Sequence, residues 1–103
     1  MKVKNFRSGD AVSSPTCSCS SWIEHWNKNK YPDNEKEAGY CRFCKNKVNP
    51  KELIGGHVIK TSGDDKSRYI IPLCRSCNSS NNDNIYEVDA NDLILSSKNS
   101  CKA

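Results

Sequence analysis

Two C-x-x-C pairs, Cys41/Cys44 and Cys74/Cys77, stand with 29 residues between them, Lys45 to Leu73. Each pair can grip one ion through a single tight turn, and zinc takes four such ligands in a tetrahedron. A disulfide framework is the competing reading of these cysteines. The chain holds seven of them, an odd number that would leave one thiol over. Its start, Met1 to Arg7, is polar and lacks the apolar run of a secretory signal. No stretch approaches the roughly 18–20 apolar residues of a membrane span. The expected location is therefore cytoplasmic, with no membrane partner, and thiols stay reduced there. Zinc is the expected staple.

The chain needs one. It has 103 residues, of which 35% are apolar and 8% aromatic. A single small domain with so thin a core is usually stapled by a metal or by disulfides. Four protein thiolates close the coordination shell, so this first zinc is structural and does no chemistry itself. The formal net charge is +4, counted with neutral thiols. A tetrathiolate zinc carries −2 and lowers it to about +2. The basic balance therefore argues only weakly for a nucleic-acid partner.

Residues 1–16 read as a polar N-terminal arm ending in Ser13-Ser14-Pro15, and residues 17–103 as one zinc-binding domain. A helix is expected over 21–30. Ser21 and Glu24 have capping-box spacing, and Trp22, Ile23 and Trp26 gather on one side as core. Asn27 to Gly39 lacks periodicity and reads as an exposed connection. The zinc module spans 40–82. Tyr40 to Lys47 forms a knuckle, and Leu53–Ile59 and Arg68–Leu73 form the strands of a hairpin. Gly55-Gly56 within the first strand predicts a bulge or a close backbone approach. Pro72 predicts an edge or a strand end. A short helix can follow Cys77 through Ser79 to Asn82. In the tail, 83–103, Ile85 to Val88 alternates like a strand, and Leu93-Ile94-Leu95 should pack inward.

The run Cys41-x-x-Cys44, Gly55-Gly56-His57-Val58 and Tyr69 to Asn78 resembles the zinc-stapled HNH endonucleases over roughly residues 40–82. The resemblance implies an α+β fold: a treble-clef, or ββα-metal, hairpin with an added N-terminal helix. It implies that the two cysteine pairs hold a structural zinc. It makes His57 the general base and Asn78 the helix ligand of a catalytic magnesium or manganese. Gly56 stands where the family has an acidic residue or a second histidine, and Tyr69 lies near the place of its central asparagine. Magnesium needs hard oxygen ligands, and Asp64, Asp65 or Asp83 would have to supply the missing carboxylate. Upstream, Cys17-x-Cys19 followed by Trp22-x-x-His25-Trp26 resembles small bacterial and phage HNH-like proteins.

Five further ligand types remain: Cys17, Cys19, His25, His57 and Cys101. Three readings stay open. Four of the five hold a second zinc; or His57 stays unbound as a base; or the five share no purpose. A base needs an available nitrogen that titrates near neutrality. A second zinc that includes His57 would remove the nuclease mechanism, and one that omits it would leave the mechanism intact.

Three functions follow as expectations. One is an HNH-like module that binds DNA or RNA without catalysis, favoured by Gly56 and Tyr69 at the departing positions. Another is an endonuclease in which His57 deprotonates water and the metal stabilises the leaving oxygen. In the endonuclease, Lys45, Lys47, Lys60, Lys66, Arg68 and Arg75 would steer the phosphate backbone, whereas the binding module would use the hairpin and the tail. The third is a phage or mobile-element protein that binds a host protein.

Overall fold

The computed structural model describes residues 1–6, 21–31, 33, 36–78 and 84–96. The order of elements is β1 (Lys2–Asn5), α1 (Trp22–Lys30), β2 (Leu53–Lys60), β3 (Tyr69–Cys74), β4 (Ile85–Glu87) and β5 (Ile94–Leu95). Short 3-10 turns at Pro50–Glu52 and Ala90–Asp92 precede β2 and β5. All five strands join one antiparallel sheet in the order β4-β1-β2-β3-β5. The fold is thus a small α+β unit with one helix among the described residues.

The hairpin forms where its sequence is apolar and β-branched. β2 and β3 pair without interruption from Leu53↔Cys74 to Val58↔Tyr69. The glycine pair therefore makes no bulge. It makes the close approach instead. A Cβ on Gly55 would lie 2.5 Å from the Trp22 carbonyl carbon, and one on Gly56 would lie 2.4 Å from Leu73 Cδ1. Helix α1 thus starts directly on the β2 backbone.

Alternation along the strands sorts the two faces. Leu53, Gly55 and His57 of β2 share a face with Ile70 and Pro72 of β3 and Ile94 of β5. Helix α1 packs on that face, against β2, β3 and β5. Ser21 caps α1 by accepting from the Glu24 amide at 3.2 Å, as its sequence position predicts. Trp22 and Trp26 are buried and Ile23 packs beside them. The opposite face carries Val3, Asn5, Gly56, Val58, Ile71, Leu73 and Tyr86.

The N-terminal segment departs from the expected arm. Lys2–Asn5 is an interior strand, paired with both β2 and β4. The alternation Lys2-Val3-Lys4-Asn5 puts Val3 and Asn5 inward, where both are buried. This four-residue pattern is too short and too polar to announce a strand, and only its two neighbours make it one. Arg7 to Ser20, the rest of the expected arm included, lies outside the described residues, as do Ser79 to Asp83. Pro72 sits where the sequence reasoning allows it. Its carbonyl accepts from the Arg42 amide at 2.9 Å, on the side away from β2. The absent proline N–H therefore breaks no β2–β3 bond. In the tail, Ile94 packs inward as expected, while Leu95 is exposed.

Candidate metal centre

Gly39 to Val48 folds into the knuckle. The Cys41 amide donates to Asn46 O at 3.1 Å, the Lys45 amide to Cys41 O at 2.9 Å and the Val48 amide to Gly39 O at 3.2 Å. Lys45 closes the turn with a φ of 65°, the left-handed region that a non-glycine residue enters at some cost. The Phe43 amide points back to Cys41 Sγ at 3.4 Å. The second pair sits on the last residue of β3 and the turn that follows. There the Asn78 amide donates to Cys74 O at 3.1 Å. The Arg42–Pro72 bond ties the knuckle to β3.

These two turns bring Cys41, Cys44, Cys74 and Cys77 together, with all four Sγ atoms within 4.8 Å of one another. A tetrahedral ion with metal–sulfur bonds of about 2.3 Å separates its sulfurs by roughly 3.8 Å. The cluster therefore has the size of a tetrathiolate site and can hold a metal ion. None of the four is in a disulfide. Burial opposes ionisation of Cys74, yet hydrogen bonds with Ser76 and Cys77 hold its thiol down at about 6. Burial pushes the Cys41 and Cys77 thiols up. A divalent cation among the sulfurs removes the mutual repulsion of four thiolates.

Hydrogen bonds absent from the sequence reasoning support the cluster from β1 and β4. Asn5 Nδ2 donates to Cys77 O at 2.8 Å, and the Tyr86 hydroxyl donates to Asn5 Oδ1 at 2.6 Å. The Tyr86 ring meets Phe43 edge-on at 4.6 Å between centroids. Arg42 is anchored as firmly. Its Nε donates to Asp92 Oδ2 at 3.0 Å, one guanidinium nitrogen donates to Tyr40 O at 2.9 Å, and it stacks on Tyr40. Trp26 Nε1 donates to Asp92 O at 2.8 Å, which links helix, knuckle and tail.

The expected catalytic pair is placed differently. His57 lies on the helix face, half-buried, with its ring 4.6 Å from that of Trp22. Burial, then the charges of Arg68 and His25, hold its pKa below the ordinary value. Asn78 lies on the other face, where its Oδ1 would be 2.6 Å from a Cβ on Gly56. One strand separates the two side chains, so the structure does not bring them to a common ion. Asp65 is engaged by Lys60, by the Ser67 amide and by the Tyr69 hydroxyl, while Asp64 is exposed. Asp83 lies outside the described residues.

Of the second-zinc candidates, His25 is fully buried with Nε2 3.0 Å from Leu95 O. Both His25 and His57 meet the Trp22 ring. Cys17, Cys19 and Cys101 lie outside the described residues.

No protein-family model, curated protein or solved structure matches this chain. No helix among the described residues is long and apolar enough to cross a membrane.

Proposed function

We propose that this chain is a zinc-stapled, HNH-like module that binds nucleic acid and does not cut it. Zinc is the ion because four thiolates in a tetrahedron favour it over hard cations. It holds the knuckle against the hairpin, and its closed shell leaves no position for substrate. The observation that carries the reading is the separation of His57 and Asn78 by the sheet. A hydrolytic site needs a base and a hard-ion site around one water. Here the position before His57 is Gly56, and Leu73 and Asn78 occupy the space of any side chain there. A carboxylate at that point would have to displace the Leu73 and Asn78 side chains.

The test uses the full chain purified without added metal. Zinc per chain is measured for wild type and His57→Ala. Binding and cleavage of end-labelled single- and double-stranded oligonucleotides are then followed with magnesium or manganese. Retained zinc, saturable binding and intact oligonucleotide are expected. Cleavage lost in His57→Ala would overturn the non-catalytic reading, and absence of binding would overturn the nucleic-acid one. A fall from two zincs to one in His57→Ala would instead make His57 a ligand of a second site.

A further inference from the structure

The helix-side face of the sheet is only half covered by α1. On the β1–β4 half, alternation places Lys2, Lys4 and Phe6 of the N-terminal segment beside Ile85 and Glu87 of β4. Lys2, Lys4, Ile85 and Glu87 are exposed, and Ile85, at 59%, is the most exposed of the large apolar side chains described. Phe6 extends the sheet by one bond, its amide donating to His57 O at 2.9 Å. The Arg68 guanidinium lies 4.2 Å over the Phe6 ring. Half-buried Phe6 and exposed Ile85 therefore lie among three cations. The carboxylate of Glu87 is bonded by the Met1 ammonium and also feels the charge of Lys2, so it offsets the three cations only in part.

We propose that this half-face binds a single-stranded nucleic acid, with Lys2, Lys4 and Arg68 on its phosphates and Phe6 and Ile85 against its bases. The inference rests on the nucleic-acid reading above and names the surface and the strand form. Charge selects a polyanion, and apolar groups between the charges select one with unstacked bases. A duplex buries its bases and offers Phe6 and Ile85 nothing, whereas a sheet face with an aromatic ring suits a single strand. Lys2 and Lys4, two residues apart on one face of β1, stand about 7 Å from each other. That suits successive phosphates of an extended strand. Arg68, stacked on Phe6, presents a second planar surface to a base.

The test is fluorescence anisotropy of labelled oligo-dT, oligo-U and a mixed-sequence duplex with the zinc-loaded full chain. Lys2→Gln/Lys4→Gln, Phe6→Ala and Ile85→Thr are compared with the remote control Lys51→Gln. Single strands should bind more tightly than duplex. Phe6→Ala and Ile85→Thr should each weaken single-strand binding on the order of tenfold. The double lysine variant should lower the salt slope by about 1.4. Melting temperature and zinc content verify folding, and the exposed lysines and Ile85 keep the test decisive if Phe6→Ala unfolds. Binding unaltered by these variants, or a preference for duplex, overturns this surface and leaves the nucleic-acid reading standing. No binding to any oligonucleotide overturns both. A shift of the variants from dimer to monomer in sedimentation, with nucleic-acid binding intact, assigns the face to a second copy and overturns the proposal.

Discussion

Asn5 and Cys77 are 72 residues apart in sequence and joined by one buried hydrogen bond, Nδ2 to carbonyl, at 2.8 Å. That bond ties the N-terminal strand to the turn carrying the fourth thiol. Tyr86 completes the link by donating to the same amide. Support of this kind orients metal ligands and raises affinity. Asn5→Ala should leave the Cys77 carbonyl and the Tyr86 hydroxyl without this partner and cost about 1–3 kcal/mol. It should also weaken zinc retention by roughly 10–100-fold in a chelator competition. Tyr86→Phe should do the same to a smaller extent. Unchanged zinc retention in both would show that the metal centre stands without β1.

Removing the metal tests the staple itself. Binding of a structural zinc is part of the folding free energy. Chelation at neutral pH should therefore abolish the cooperative thermal transition or lower it sharply, and added zinc should restore it. Cys41→Ser should mimic chelation even with zinc present. A chelated chain that melts at the same temperature as the loaded one would show that the core, not the thiolate cluster, holds the fold.

The glycine pair should respond unequally to a methyl group. In Gly55→Ala the new Cβ meets the helix backbone at Trp22 and Ile23, so α1 must shift as a body. Overpacking of this sort costs about 1–3 kcal/mol. Gly56→Ala meets the ends of the Leu73 and Asn78 side chains, which can rotate away at lower cost. Gly39→Ala meets nothing within 4 Å and should change stability by less than about 0.5 kcal/mol. Denaturant unfolding of the three variants should rank them in that order.

Those glycines also show which parts of the fold were legible in the sequence. The hairpin, the helix cap and the two cysteine turns are written in short windows, so spacing and periodicity find them. Gly55-Gly56 could be read as a close approach, but not which helix approaches. Lys2–Asn5 could not be read as a strand, because its partners lie more than fifty residues away. The same holds for Arg42 and Asp92, where neither residue carries a local sign of the other. At the candidate site, cysteine spacing picked out the four thiols that the fold brings together. The placement of His57 and Asn78 on different faces rests on the β2–β3 register for His57 and on the contact at Gly56 for Asn78, and neither is written in a short window.

His57 should make stability depend on pH. Its folded-state pKa lies below the ordinary value of 6.5, through burial first and then Arg68 and His25. The unfolded chain therefore binds the proton at a higher pH than the folded one. Its contribution is fully present above about pH 6.5 and is lost as pH falls through the folded pKa. His57→Gln removes this component. Urea unfolding of both proteins across about pH 5 to 8 should show wild type losing stability relative to the variant as the solution becomes more acidic. A constant difference across that range would mean that the imidazole titrates alike in both states.

Arg42 and Asp92 should prove the most sensitive ion pair among the described residues. Their side chains are 5% and 11% exposed, against 33% and 65% for the pair of the Met1 amino group with Glu87. Surface pairs contribute little, whereas removing one partner of a buried pair leaves the other charge uncompensated at about 3–5 kcal/mol. Asp92→Ala strands Arg42, although Lys30 then loses its partner too, 3.3 Å away. Arg42→Lys keeps the charge but cannot reproduce the guanidinium fork on Asp92 and Tyr40 or the stack on Tyr40. It should therefore behave more like a deletion than a conservative change. The double variant Arg42→Met/Asp92→Ala leaves neither charge stranded between the pair and should cost less than the sum of the single changes. A double-mutant cycle by chemical denaturation measures that difference. Additive losses would mean that the two residues act separately, the arginine through its aromatic stack and the aspartate through Lys30.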